Sequence, residues 1–228
     1  MTASDSPLRS VKIVLDESHV QLMTMEDIYQ QTLDEKLAPA RVLALAKGAL
    51  VNFRSALDYI AYELLVEYGT VNKQNENNVQ YPLCNHPNAF DGQFDRKLPG
   101  VRRAYPPAAE LVRVHQPFQP NHEWMTWLSE YVNPNKHRRL TAQTRVENHR
   151  IQSGGVSWDP GAVTFGAGVF INGSPVDPTT QRPEAGSSEV TYVDWLFEGS
   201  DLSVRSVLRT IGAGIRGVVA DYETELGW

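Results

Sequence analysis

Residues 39 to 68 read PARVLALAKGALVNFRSALDYIAYELLVEY, and this stretch decides the fold. Its apolar side chains recur at the spacing that places them on one face of an α-helix. Pro39 suits a first helical turn and Gly69 suits a helix end, so we predict a helix from Pro39 to Tyr68. The apolar positions are Val42, Leu43, Ala46, Ala49, Leu50, Phe53, Leu57, Ile60, Ala61, Leu64 and Leu65.

Helical spacing also marks both ends of the chain. We predict a first helix over residues 10–35, although the β-branched residues within 11–15 also fit a short strand. A last helix is predicted over residues 204–222, where glycines weaken the helix by roughly 1 kcal/mol each and suggest close approach by another element. Those glycines are Gly212, Gly214 and Gly217.

The middle of the chain predicts loops and short helices. Residues 71–78 are rich in asparagine and indicate a surface loop, and the proline-rich residues 81–107 indicate an irregular segment. A short helix is predicted from Pro107 to about His115. We expect Asn121 to cap another helix over residues 123–132, which the run Asn133-Pro134-Asn135 ends.

Three β-rich runs precede the last helix, and turn residues separate them. They predict antiparallel strands over residues 140–148, 162–171 and 189–197, with a long loop over residues 173–188. Helices followed by strands, without regular alternation, indicate an α+β fold. We therefore expect a helical bundle, with two long N-terminal helices, short middle helices and a C-terminal helix, carrying a small antiparallel sheet inserted before the last helix.

The domain prediction follows from the same order of elements. Residues 1–139 form the helical bundle region, residues 140–198 a β-rich segment, and residues 199–228 a C-terminal helix that packs back on the bundle. With 228 residues, 41% of them hydrophobic, the chain suits one compact domain with a sizeable core.

The composition of the chain limits the cellular compartment and the class of partner that we expect for the protein. A single cysteine, Cys84, permits no disulfide and no cysteine-based metal site within one chain. The polar start and the lack of a long apolar run predict a cytoplasmic protein without a membrane partner. The net charge is −6, yet residues 94–150 carry ten Lys/Arg against five Asp/Glu. That local excess either pairs with acidic helices or attracts a phosphate.

Arg54 and Asp58 are the best-marked polar pair. They lie four residues apart on the predicted long helix and hence on one face of it. Their neighbours are strongly apolar, so we expect the pair to be at least half buried. A buried charge is costly unless it is paired and hydrogen-bonded, so Arg54 should hold a carboxylate or a phosphate.

A second polar cluster follows the predicted end of a helix at Asn135-Lys136-His137-Arg138. Cations at that position interact favourably with the helix dipole, which is a sufficient structural explanation. The functional interpretation is that His137 acts as an acid or base, while Arg54 and Arg138 hold a phosphate and Asn135 and Lys136 help to bind it.

These residues carry a resemblance. The run from Phe53 to Leu64 resembles the second-helix motif of an uncharacterised bacterial and phage protein group, in which arginine, serine or asparagine, alanine, leucine, aspartate and histidine succeed one another. Later elements resemble the same group: Tyr81-Pro82-Leu83, a phenylalanine at Phe90 or Phe94, Gln116-Pro117-Phe118 and Asn135-Lys136-His137-Arg138. The resemblance covers roughly residues 40–145 and implies organisation more than activity.

A weaker similarity links Arg54 to HEPN domains, which are helical bundles with an arginine, four intervening residues and then a histidine. Many of these are metal-independent ribonucleases, and often they are dimers. Here Tyr59 stands where that histidine would be, so only Arg54 matches. The similarity implies a homodimer that acts on RNA or another phosphate-containing ligand, with His137 replacing the missing histidine in space.

The remaining sequence patterns that could indicate catalysis or metal binding give little support for a functional site. There is no phosphate-binding or dinucleotide-binding glycine loop and no metalloprotease or nucleophile-elbow motif, so we expect neither cofactor nor metal. Cys84 is best explained as a small buried residue, with a nucleophile assisted by His86 as the alternative. His115 and His122 could form a metal site with His137 or His149. Aromatic residues near the basic segment, Trp124, Trp127, Tyr131 and Phe118, fit a core better than a base-stacking surface.

Two functions follow from the sequence. In the first, Arg54, Asp58, His137 and Arg138 form a closed structural network in a non-catalytic scaffold or binding protein. In the second, Arg54, Asp58 and His137 are the catalytic residues of a HEPN-like ribonuclease or the contacts of an RNA-binding protein. Solvent access to Arg54 and His137 separates the two, and the sequence does not decide whether the protein is an enzyme.

Overall fold

The computed structural model of the protein describes residues 6–31, 38–137 and 143–228. An α+β architecture is confirmed, with helices before and after a group of antiparallel strands. The helices are α1 (Arg9–Gln31), α2 (Ala40–Tyr68), α3 (Lys73–Glu76), α4 (Pro87–Lys97), α5 (Val101–Ala104), α6 (Pro106–Val114), α7 (Glu123–His137) and α8 (Val204–Leu226). The strands are β1 (Gln143–Ser153), β2 (Val156–Trp158), β3 (Phe170–Ile171), β4 (Ser174–Asp177), β5 (Arg182–Pro183) and β6 (Ser187–Phe197).

Helix α2 is the centre of the bundle, and α1, α7 and α8 pack around it. It starts one residue after the predicted Pro39 and ends at Gly69 as predicted. A Cβ at Gly69 would lie 2.7 Å from the backbone carbonyl oxygen of Leu65, so the helix end favours the glycine there. The apolar face of α2 is completely buried at Leu57 and Ile60, and burial of each such side chain stabilises the fold by roughly 2 kcal/mol.

The two terminal helices close the bundle on either side of α2. Helix α1 is continuous from Arg9, so the alternative of a strand over residues 11–15 is wrong, and residues 32–35 of the prediction lie outside the described residues. Helix α8 begins at the N-cap Ser203, whose side chain accepts a 3.2 Å hydrogen bond from the N–H of Ser206. It ends at Gly227, whose left-handed φ of 69° favours glycine.

Two glycines of α8 have the close neighbours that the sequence predicted. A Cβ on Gly212 would lie 3.0 Å from Phe53 Cζ, and one on Gly214 would lie 2.3 Å from Trp124 Cε2. At Gly217 nothing lies within 4 Å, so the third glycine has no such explanation.

The β-region contains two small antiparallel sheets, ordered β2-β1-β6 and β3-β4-β5. Strand β1 pairs with β6 along its whole length, from Gln143 opposite Phe197 to Ser153 opposite Ser187. The first and third predicted strands are therefore confirmed where the chain is described, since residues 140–142 lie outside it. The strand predicted over residues 162–171 is wrong except at its end in β3, and the predicted loop over residues 173–188 contains β4 and β5.

Sheet and bundle share one core at a single end of the long strand pair. Trp195 and Phe197 of β6 are 1% exposed and belong to the main core. The Phe197 ring stacks on Tyr131 of α7 with 3.8 Å between the centroids. Farther out, a separate cluster around Ile151 and Trp158 forms a small second core. The side of the sheet near α7 is thus anchored by aromatic packing.

The middle of the chain is more helical than predicted. Residues 71–78 include the single turn α3, and residues 81–107 include α4 and α5. Helix α4 tolerates Pro87 because the proline occupies its first turn, where the missing N–H costs no helical hydrogen bond. Asn121 has φ of 64° and lies in a turn two residues before α7, so it is not the N-cap.

Helix α7 also runs past its predicted end. It includes Pro134 and reaches His137. A proline at that position removes the hydrogen bond to the carbonyl of residue 130, and Glu130 is exposed, so water can reach that carbonyl. Within the described ranges, no helix is long and apolar enough to cross a membrane.

Candidate functional site

Arg54 and Asp58 form a two-pronged ion pair on α2. Arg54 Nη2 lies 2.8 Å from Asp58 Oδ1, and Arg54 Nε donates to Asp58 Oδ2 at 3.2 Å. The side chains are 18% and 27% exposed, respectively, so the expected burial is confirmed without being complete. One charge-assisted hydrogen bond and a second close charge contact fix both side chains more firmly than one contact would.

The same pair holds a distant piece of main chain. Arg54 Nη2 donates to the carbonyl oxygen of Tyr81 at 2.9 Å, and Asp58 Oδ1 accepts from the N–H of Tyr81 at 2.9 Å. Tyr81 is 1% exposed, and its segment has no regular strand partner of its own. The ion pair therefore supplies the hydrogen bonds that a buried main chain requires.

Gln116 holds the next residues of that segment from the opposite side. Its Nε2 donates to the carbonyl of Pro82 at 3.0 Å and to the carbonyl of Val112 at 2.9 Å. Its Oε1 accepts from the N–H of Cys84 at 3.0 Å. Gln116 is completely buried, so these three contacts satisfy its amide in the core. We call the segment Tyr81–Cys84, held by Arg54, Asp58 and Gln116, the clamped segment.

The clamped segment brings the sequence motifs together. Arg54 and Asp58 belong to the first motif, Tyr81 to the second and Gln116 to the third. The aromatic members also meet, since the rings of Phe90 and Phe118 lie edge to face with 6.3 Å between centroids. Sequence reasoning placed Gln116 in the third motif but predicted no contact for it, because it lies in a proline-rich break whose packing partners the sequence does not specify.

A cavity of about 200 Å³ adjoins the ion pair. We call it the Arg54 cavity. Its polar lining includes three residues of α4 and α7 that no sequence motif marked, of which Lys97 was counted only as part of the basic segment 94–150. They are Gln93, Lys97 and Ser129, and the other lining residues within the described ranges are Arg54, Asp58, Gln80, Tyr81, Pro82, Leu83 and Val132.

Lys97 gives the cavity an unneutralised positive charge. Its Nζ donates to the neutral Gln80 Oε1 at 2.7 Å, and no carboxylate in the described ranges forms an ion pair with it. Burial lowers the pKa of Lys97, with Arg96 and Arg54 acting in the same direction, while Asp58 opposes the shift. Lys97 thus adds a positive charge to the lining of the cavity that also contains the Arg54–Asp58 pair.

The second predicted cluster lies partly beyond what the structure describes. The backbone of Asn135, Lys136 and His137 belongs to the last turn of α7, the helix whose Ser129 and Val132 line the cavity. Their side chains, and the whole of Arg138, lie outside the described residues. The meeting of this cluster with Arg54 and Asp58 therefore stays a prediction.

His115 and His122 lie together as a pair. The buried His115 has its Nδ1 3.2 Å from His122 Nε2 and its Nε2 3.2 Å from Asp221 Oδ2 of α8. His122 Nδ1 lies 2.9 Å from the carbonyl oxygen of Pro120, which can only accept a hydrogen bond. Among the described residues no group of three or more His, Cys, Asp or Glu could hold a metal ion.

In the middle segment, basic residues form ion pairs with nearby carboxylates, and aromatic residues pack in the main core or against it. Arg102 pairs with Asp91 and Asp95, and Arg113 pairs with Asp91. Cys84 is 1% exposed, and burial raises the pKa of its thiol, so it is the small buried residue that we expected. The aromatic residues Trp124, Trp127, Tyr131 and Phe118 contribute to the main core or pack against it.

Comparison with known proteins adds no relative to this description. No family model matches the chain, and no curated protein and no solved structure matches it.

Proposed function

We propose that the chain is a non-catalytic binding protein whose Arg54–Asp58 pair is structural and whose ligand occupies the Arg54 cavity. One observation carries the proposal: both oxygens of Asp58, and the Nε and Nη2 of Arg54, are engaged with each other and with the main chain of Tyr81. A carboxylate held in this way serves the architecture of the clamped segment.

The chemistry expected of a catalytic Asp58 fits these contacts poorly. A general base must reach the proton that it removes, within about 3 Å, through a free lone pair directed at the substrate. Asp58 Oδ1 already accepts from the N–H of Tyr81 and lies 2.8 Å from Arg54 Nη2, and Asp58 Oδ2 accepts from Arg54 Nε. Protonation of Asp58 during a reaction would weaken the ion pair and release the clamped segment.

The alternative is a HEPN-like, metal-independent ribonuclease or RNA-binding protein, acting as a homodimer. The observation in its favour is that Arg54 keeps 18% of its side chain exposed beside the cavity, where it could meet a phosphate. This alternative needs His137 at the same site as Arg54, with His137 as the acid or base and Asp58 orienting one of the two.

One experiment separates the two functions. Labelled single-stranded RNA is incubated with the purified protein in EDTA, beside the Arg54→Ala and His137→Ala variants. The exposed Arg41 of α2 provides a matched control as Arg41→Ala. We expect no cleavage by any protein, a lowered melting temperature for Arg54→Ala, and an unchanged one for Arg41→Ala.

The opposite result is equally clear. Cleavage by the wild type that both Arg54→Ala and His137→Ala lose, with folding retained in circular dichroism, would replace the binding protein by the ribonuclease. Sedimentation velocity on the same samples adds the oligomeric state, because a dimer is part of the alternative alone.

A further inference from the structure

We propose that the Arg54 cavity is a binding site for a small oxyanion of the phosphate type. This inference rests on the proposed function and names the class of ligand. The cavity is lined by Arg54 and Lys97 together with Gln93, which carries an amide, and Ser129, which carries a hydroxyl. Guanidinium, ammonium, amide and hydroxyl groups are the donors that oxyanions accept from in proteins.

Both cations retain hydrogen-bonding capacity. Arg54 uses Nε and Nη2 for Asp58 and Tyr81, and in the described ranges its Nη1 has no acceptor. Lys97 has three N–H donors, of which one reaches Gln80. A tetrahedral oxyanion would accept hydrogen bonds from the N–H groups of Arg54 and Lys97 that have no acceptor in the described ranges.

The charge balance of the site also favours an anion. Arg54 is neutralised by Asp58, whereas Lys97 faces a neutral amide and has the like charges of Arg54 and Arg96 nearby. The two oxygens of Asp58 are taken up by Arg54 and the Tyr81 N–H, which reduces their repulsion of an incoming anion. A bound oxyanion would supply the counter-charge that Lys97 lacks among the described residues.

Size limits the ligand. Sites for drug-sized ligands usually occupy about 300–1,000 Å³, and this cavity holds about 200 Å³. A phosphate, a sulfate or a carboxylate fits such a volume, and a whole nucleotide does not. The ligand is therefore a free oxyanion or one terminal anionic group of a larger molecule.

Inorganic phosphate is the probe for the test, with chloride balancing the ionic strength. Thermal melts and calorimetric titrations are recorded for the full chain and for Lys97→Gln, with Lys73→Gln on the exposed α3 as the control of equal charge change. We expect the melting temperature of the wild type and of Lys73→Gln to rise with phosphate, because a ligand of the folded state stabilises it. Lys97→Gln should bind phosphate about ten-fold more weakly.

The same measurements with acetate in place of phosphate distinguish a carboxylate ligand from a phosphoryl ligand. Acetate that binds at least as well as phosphate assigns the site to carboxylates, and phosphate that binds more tightly assigns it to phosphoryl groups. The proposal is overturned if the wild type shows no response beyond that to chloride, or if Lys97→Gln and Lys73→Gln respond alike.

The two proposals fail separately. Phosphate binding together with RNA cleavage would keep the oxyanion site and remove the non-catalytic function. Absence of both phosphate binding and cleavage would remove only the oxyanion, since the structural role of the Arg54–Asp58 pair is tested by its effect on stability.

Discussion

Asp58 accepts a 2.9 Å hydrogen bond from the main-chain N–H of Tyr81, 23 residues farther along the chain. Arg54, one helical turn before Asp58, donates to the carbonyl of the same Tyr81. One turn of α2 thus satisfies both main-chain groups of a buried residue, as a neighbouring strand would in a sheet. The stability of the clamped segment therefore depends on side chains of a helix.

Removal of one partner of the ion pair should be costly. Asp58→Ala leaves Arg54 without its carboxylate and the Tyr81 N–H without an acceptor, so we expect the free energy of unfolding to fall by about 2 kcal/mol, a partly screened value for a pair that retains some exposure. Urea unfolding measures the loss, with the exposed Asp16→Ala of α1 as control. The double variant Arg54→Ala/Asp58→Ala should lose less than the sum of the single variants, and strict additivity would contradict the clamp.

We expect Gln116 to contribute more to the free energy of unfolding than its position in a proline-rich break suggests. Gln116→Ala removes three hydrogen bonds at a completely buried position, and we expect a loss of about 3 kcal/mol in the free energy of unfolding. The nearby Gln119 makes one 3.3 Å hydrogen bond to the carbonyl of Arg113 and is the matched control as Gln119→Ala. Equal losses in the two variants, measured by urea unfolding, would show that Gln116 does not hold the segment.

Two glycines of α8 should respond to the same substitution with opposite signs. Gly214→Ala places a Cβ 2.3 Å from the ring of Trp124, so overpacking should destabilise the protein by about 2 kcal/mol. Gly217→Ala meets nothing within 4 Å and gains helix propensity, so it should stabilise the protein by up to about 1 kcal/mol. Thermal melts of both variants check the signs, and a stabilising Gly214→Ala would mean that α7 and α8 are farther apart.

The free energy of unfolding should depend on pH through His115. Burial lowers the pKa of His115 below its ordinary value of 6.5, against the opposing carboxylate of Asp221 and with His122 adding to the lowering. The unfolded chain therefore binds more protons than the folded chain just below pH 6.5, and the contribution of His115 is lost as the pH falls through the folded pKa. Urea unfolding between pH 8 and pH 5 should show this decline in the wild type and a shallower one in His115→Gln. The exposed His19→Gln serves as control, and identical slopes in all three proteins would contradict the prediction.

Much of the helical architecture was predictable because helix signals are local. Apolar spacing and a glycine end placed α2 to within one residue, and the apolar stripe of α8 placed the last helix. The prediction of secondary structure failed where the same types of residue occur both in strands and outside them. The β-rich run over residues 162–171 is mostly without strand structure, since a strand needs a partner that composition does not specify.

The α+β class and the Arg54–Asp58 pair follow from local patterns in the sequence, because a spacing of four residues on a helix brings two side chains together wherever that helix lies. The partners of the pair and the residues beside it depend on how the whole chain folds. The contact of Gln116 with Cys84 spans 32 residues, and the wall of the Arg54 cavity joins α2, α4 and α7. Such contacts follow from the packing of whole elements around α2, and the pattern within any one element does not specify them.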